Sequence, residues 1–397
     1  MSDDLLHFSI GPVQQFVGQS RRTRDLWASS FLLSYLVGVG IEAICKNDRS
    51  AEFRLPVVED EDGNPTNDLI EALRHGVDGD RGPRFGSLPN RFQVSCADAK
   101  ESAQSAGRAI REKWKEIAEE VWSACLEGPS SKGEDTREIW DRQIRNFWSI
   151  YWVIGEDSDL LDQRKNWRHR FPEPEPGDKC TMMHHWQELS GYCGRGRGSQ
   201  RKQQRRFWNA VRDEAEVGGL DLKENERLCA IAFVKRMFPK CATEAIGWKP
   251  DVTHWPSTAY MAAVPWLEKV GAEEPEWAAD YADDVLGARS FAKGEWDTEL
   301  PSLDGGANRA DVGKFFNLDG NFFLDEALAN EDATPLDDEG KREQLVGQLR
   351  EQYTGVGKPS RYYALLLMDG DSMGAILQEA AAADREVQEE VSRALTD

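Results

Sequence analysis

The first 155 residues switch hydrophobic period in a fixed order, and that order is the tightest constraint on the fold. Residues 5–10, LLHFSI, read as a short strand. "GPVQQFV" then turns the chain into a helix: from Phe16 to Ile44, Trp27, Phe31, Leu32, Tyr35, Leu36 and Val39 recur at helical spacing. Residues 46–90 are charged and rich in Gly, Pro, Asp and Asn, and two brief strand-like pieces, RLPVV and RFQVS, lie in and just after them. Ala97 to Leu126 is a long amphipathic helix, and Phe147 to Ile154, FWSIYWVI, reads as a buried strand. Strand, helix, two strands, helix, strand is the ferredoxin-like order, in which helices cover one face of an antiparallel sheet. It predicts an α+β first domain over residues 1–155.

"FPEPEPGD", residues 171–178, is a polar, Pro-rich joint. Beyond it the pattern is mainly helical: Arg201 to Val217, Glu224 to Met237, Thr258 to Val270, Glu276 to Val285 and Lys341 to Tyr353, with a loop-rich acidic stretch over 287–340. A helical second domain is expected over 156–355, and residues 356–397 open a third element with one strand and one helix.

A length of 397 residues suits two or three domains, and 14 Trp with 16 Phe supply the cores. The formal charge is −22, from 71 acidic and 49 basic residues, so any nucleic-acid site must be a local basic patch. The 7 Cys are scattered, the N-terminus MSDDLLHF is acidic, and the longest apolar run, Phe31 to Ile44, is interrupted by Ser34, Gly38, Gly40 and Glu42. These features predict a cytoplasmic protein with reduced thiols and no membrane partner.

Four stretches carry candidate chemistry. Tyr362 to Met368 is a strand by composition, and it runs into Asp369-Gly370-Asp371-Ser372. Carboxylates two apart on extended chain face the same way, Gly370 lets a ligand approach, and Ser372 can cap a following helix whose amides favour phosphate. Mg2+ suits this set, since it takes one or two carboxylates plus phosphate oxygens and water. A plain turn and helix cap explains the same residues. "CTMMHHWQELSGYCG" holds Cys180, His184, His185 and Cys193, with Cys229 and Cys241 downstream. Thiolate and imidazole suit zinc, but Met183 stands where a Cys-x-x-Cys pair has its second thiol, and buried free thiols are the alternative. "GRGRGSQRKQQRRFW" holds Arg195, Arg197, Arg201, Lys202, Arg205 and Arg206 with no acid: either a contact for a phosphate backbone or a solvated loop leading into a helix. Arg21, Arg22, Arg24 and Asp25 read as charged first turns of a core helix.

Four segments together resemble the large subunit of type III CRISPR effector complexes, of the Cmr-type branch. They are GPVQQFVGQSRRTRDLWASSFLLSYL, ENERLCAIAFVKRMFP at 224–239, PSTAYMAAVPWLE at 256–268, and RYYALLLMDGDSMGAIL at 361–377. The resemblance implies two ferredoxin-like palm domains related to nucleotidyl cyclases, with helical, often zinc-binding domains between and after them. It implies cyclic oligoadenylate synthesis from ATP when target RNA is captured, in antiviral defence, with guide RNA and other Cmr-type subunits as partners. Many members also carry an HD nuclease domain. Carried over, Asp369 is similar to the metal-binding aspartate of the second palm, Asp371 is its neighbour, and Cys180 is similar to the first zinc cysteine.

Two departures qualify this. The chain opens on the first palm strand, so an HD domain is not expected, and no Gly-Gly-Asp-Asp occurs in it. A lone strand leaves an unpaired edge, so residues beyond Asp397 or another chain are expected to complete the second palm. By itself the chain is expected to be inactive. The alternatives are a non-catalytic scaffold and a free-standing diguanylate-like cyclase, which the missing hairpin weakens equally.

Overall fold

The computed structural model describes residues 4–60, 62–79, 82–156, 160–166, 175–193, 198–214, 222–250, 256–288, 312–330, 334, 336 and 338–364. Two compact units divide the chain: one holds the described residues of Met1–Arg21 and Asp25–Pro250, the other those of Arg22–Arg24 and Asp251–Asp369. The helical segment expected over 156–355 is therefore shared between units, and residues up to Pro250 belong with the N-terminal sheet.

The first unit is α+β. Its strands β1 (Asp4–Gly11), β2 (Glu52–Leu55), β3 (Arg91–Cys96) and β4 (Ser149–Ile154) form one antiparallel sheet of order β2-β3-β1-β4. Between β1 and β2 lie α1 (Val13–Val17) and α2 (Thr23–Asn47); α3 (Asp68–His75) precedes β3. The helices α4 (Ala99–Cys125) and α5 (Thr136–Asn146) separate β3 from β4, and α6 (Leu160–Asn166) follows. Strand, helix, strand, strand, helix, strand is thus the observed frame, with short helices inserted. Leu6, Phe8 and Ile10 alternate along β1, and Phe8 stacks on Phe92 of β3 at 4.6 Å between centroids. α4 packs on β1, β3 and β4.

Three details differ from the sequence expectation. The first helix is broken at Gly18–Arg22, giving α1 and α2. Strand β4 begins only at Ser149 and lies half-exposed at the sheet edge, because Phe147 and Trp148 turn into a cluster with Phe16 and Trp114. α2 as a whole is long and apolar enough to pass for a membrane span, but 78% of that window is buried in the fold. It is a core helix: Gly40 leaves room for Ile110 of α4, where a Cβ would meet that side chain at 2.9 Å.

After a loop hairpin at 178–189, α7 (Gly198–Glu214) and α8 (Ala230–Ile246) complete this unit, with α8 packed along α4 and α5. α8 starts six residues later than the pattern predicts and continues through Pro239. Its first amide, Ala230 N–H, donates to Oε1 of the fully buried Gln143 at 2.8 Å.

The second unit is helical: α9 (Thr258–Glu273), α10 (Pro275–Ala288), two short turns α11 (Gly313–Phe316) and α12 (Asp325–Leu328), and α13 (Glu339–Val356). Its core is aromatic and tied to backbone: Tyr260 and Tyr281 hydroxyls donate to Phe316 and Phe322 carbonyls at 2.5 Å each, and Tyr353 donates to Phe323 at 2.8 Å. Gly320 admits no larger residue, since a Cβ there would sit 2.1 Å from the Tyr260 nitrogen.

Candidate nucleic-acid interface

α7 is amphipathic in two senses. Gln204, Phe207, Trp208, Ala210 and Val211 are buried, while Lys202, Arg205, Arg206, Asn209 and Arg212 recur at three- and four-residue spacing on the opposite face. The buried face is anchored on Glu188. Trp208 Nε1 donates to Glu188 at 2.6 Å and Gln204 Nε2 at 3.3 Å; the Ser190 amide donates at 3.1 Å and its hydroxyl also donates. Burial pushes the Glu188 carboxyl up, against the pull of those donors. Gly191 permits the hairpin exit: it has φ +76°, and a Cβ would overlap the Glu134 carbonyl.

The polar face lines a cavity of about 220 Å³ together with Glu224 and Arg227 from the segment before α8. Five of the seven lining residues are cations and one is an acid. Arg212 bonds the Lys223 carbonyl at 3.3 Å and Asn209 Oδ1 at 2.7 Å, and Arg227 bonds the Glu224 and Glu226 carbonyls at 2.7 Å each. Those bonds fix two guanidiniums in place. Burial first, then the neighbouring Arg212, pulls Arg227 below the ordinary arginine range; burial does the same to Arg212. An anion in the cavity would relieve both. Among the described residues, Lys202, Arg205 and Arg206 make no ion pair, so their charges face outward.

Of the basic run read from sequence, Lys202, Arg205 and Arg206 therefore come together, and Arg201 is exposed outside the cavity. Arg195 and Arg197 lie outside the described residues, as do Asp369, Gly370, Asp371 and Ser372. Arg212 and Arg227 were not read from the sequence. Continuing the stripe one more turn finds Arg212, whereas Arg227 lies outside α7 and joins the groove only in the tertiary fold.

The thiols distribute differently from one four-ligand site. Cys180 and Cys229 are buried and face each other, as Cys241 faces Cys125 on α4. Cys193, His184 and His185 are exposed. Burial drives the Cys180 thiol up, but the donors around it, the Cys229 thiol first, bring it down to about 7. Among the described residues no three His, Cys, Asp or Glu side chains converge on a metal position.

Below this layer sits an ionic core. Arg236 of α8 bonds Asp25 Oδ1 at 2.5 Å and Oδ2 at 2.8 Å, and Glu226 at 3.2 and 3.3 Å, all three residues being buried. Lys235 beside it donates to the Phe16 and Gln19 carbonyls at 2.5 and 2.7 Å, closing the end of α1. Asp25, from the charged stretch before the apolar helix, is thus a structural ion-pair partner.

Residues 5–119 match the family model described as CRISPR-associated protein Cmr2, N-terminal. The chain is 24% identical over 418 aligned positions to the CRISPR system Cmr subunit Cmr2 of Pyrococcus furiosus, covering 94% of this chain and 44% of that protein. It thus spans less than half the length of the curated relative it matches. Among solved structures it is similar to chains of the type III-B Cmr-beta complex: in the apo state (14% identity, TM-score 0.47, 74% of this chain, 39% of that one) and bound to cognate target RNA (14%, 0.47, 89% and 43%). The resemblance to a Cmr-type large subunit holds across the match to this relative.

Proposed function

With likeness to the Cmr2 subunit as the premise, we propose that this chain is the front portion of the large subunit of a type III-B CRISPR effector complex, acting in antiviral defence. The observation that carries the reading is the family match over residues 5–119, which falls on the run from β1 to α4. The strand order supports regarding the sheet as the first palm.

In the complete protein, Asp369 and Asp371 would hold Mg2+ or Mn2+ with ATP, Gly370 would admit the phosphates and Ser372 would start the helix that receives them. A metal there supplies Lewis acidity to the attacking hydroxyl and the triphosphate. The activity is cyclic oligoadenylate synthesis on capture of target RNA. Residues 1–397 hold no Gly-Gly-Asp-Asp, so they are not expected to perform it alone. The groove between α7 and Arg227 contacts the phosphate backbone of guide or target RNA. The groove also favours a second reading, a non-catalytic scaffold that holds RNA and neighbouring subunits.

The test is reconstitution of the full-length subunit with the other Cmr-type subunits, guide RNA and target RNA. Assembly and ATP-dependent oligoadenylate formation, lost on Asp369→Ala with assembly intact, is the expected result. Assembly without oligoadenylate would leave the scaffold; failure to assemble would overturn both.

A further inference from the structure

Two turns in the first unit bring one cysteine each to a common buried point. In the hairpin, Cys180 Sγ accepts the amides of Met182 and Met183 at 3.4 and 3.2 Å, and the Cys229 amide and thiol face it. A sulfur that gathers the amides of the two following positions, i+2 and i+3, is arranged as in a Cys-x-x-Cys metal turn, whose second thiol stands at i+3. Here that position is Met183. Cys229 sits at the start of α8, and the same spacing reaches Ala232. Positions three apart lie on one helix face, and the Ala232 amide faces the Cys229 sulfur without the geometry of a full cap bond. Met183 and Ala232 are both fully buried.

The two segments thus share a spacing, with one thiol in each. The other thiol pair shows none of this: Cys125 ends α4 and Cys241 lies within α8, where backbone amides serve the helices. A structural zinc needs four ligands, and the described residues offer two here, so the zinc implied by the family likeness does not fit. The hairpin is held by other means. Cys180 N–H donates to Trp186 O at 2.8 Å, Thr181 N–H to Arg227 O at 2.7 Å and Leu189 N–H to Leu228 O at 3.0 Å. Met182, Met183, Leu189 and Leu228 are buried around them.

We propose that residues 180–183 and 229–232 are two zinc-binding turns in which methionine and alanine have taken the second thiol positions. Cys180 and Cys229 then act as a packed dithiol without zinc, and Met183→Cys with Ala232→Cys restores a four-thiolate site. The likeness to Cmr2 enters only as the source of the zinc expectation. Metal content is read without RNA or ATP, so this proposal and the functional one fail separately.

The experiment measures zinc in the purified full chain by elemental analysis, follows its thermal unfolding with and without a strong chelator, and titrates the double variant with Co2+. The native chain is expected to carry no stoichiometric zinc and to melt unchanged with chelator. The variant is expected to bind cobalt with the intense visible bands of tetrahedral thiolate coordination. Stoichiometric zinc in the native chain, lost in Cys180→Ser, overturns the proposal. So does a variant with native circular dichroism that takes up no cobalt. Should the double variant not fold, Ala232→Cys alone, with three thiols and an open position, is titrated with Co2+ in its place. Thiolate-to-cobalt bands then support the proposal, and a folded chain without them overturns it.

Discussion

Two arginine clusters in one compact unit are built on opposite principles. Arg236 is fully buried and meets two carboxylates, Asp25 and Glu226. The groove gathers Lys202, Arg205, Arg206, Arg212 and Arg227 around one acid, Glu224. The first cluster is closed: although burial works against its charge, Asp25 and Glu226 hold Arg236 protonated. The second is open, with two guanidiniums pinned by backbone carbonyls and three cations facing outward. What separates structure from binding is not the number of arginines but the number of acids that burial supplies with them.

The comparison breaks most sharply at Arg236. Arg236→Met leaves two buried carboxylates uncompensated and should cost about 3–5 kcal/mol in urea unfolding. A loss no larger than a surface substitution would show that the cluster is not closed. One step weaker is Trp208→Phe, which removes a donor from Glu188 beneath the groove. It should cost about 1–3 kcal/mol, with RNA affinity per folded molecule unchanged in a binding titration. At the groove itself, Arg205→Glu with Arg206→Glu should leave the unfolding midpoint in place. It should weaken binding of a single-stranded RNA oligonucleotide and reduce the salt slope of log K by about 1.4, two contacts at ~0.7 each. An unchanged slope would take RNA away from the groove.

A pH dependence is expected beside the closed cluster. Burial lowers the Lys235 amine from 10.5 to about 8, with Asp25 opposing. Between those values the unfolded chain holds a proton that the folded chain has shed, so stability should rise as pH climbs from about 8 towards 10.5. Lys235→Met should flatten that rise, and an unaltered profile would assign it to another group.

Much of the fold is legible because β1, α4 and β3 each keep one period along their length, and their boundaries fall within two residues of the pattern. The misreadings have physical causes. Phe147 and Trp148 look like strand because they are apolar, but the aromatic cluster around Phe16 claims them. α5 is missed because its few buried residues, Ile139, Trp140 and Ile144 among them, are set in charged sequence. Pro239 lies past the expected helix end at Met237, yet α8 carries it within a packed helix. At the site, five of the seven groove residues fall on one helical stripe and can be read; Arg227 and the meeting of Cys180 with Cys229 depend on the tertiary fold. The Asp369 strand lies outside the described residues.

The groove has a consequence for timing rather than affinity. It is a small positive window on a chain of net charge −22. A polyanion approaching from most directions meets repulsion, and only the last few ångströms at one face attract. Salt shortens the reach of both fields, to ~10 Å at 0.1 M, and the far repulsion is screened first. On the proposed reading, RNA should dock faster as salt is first added and slower only later, and the acidic surface would then work as an orientation filter at one face.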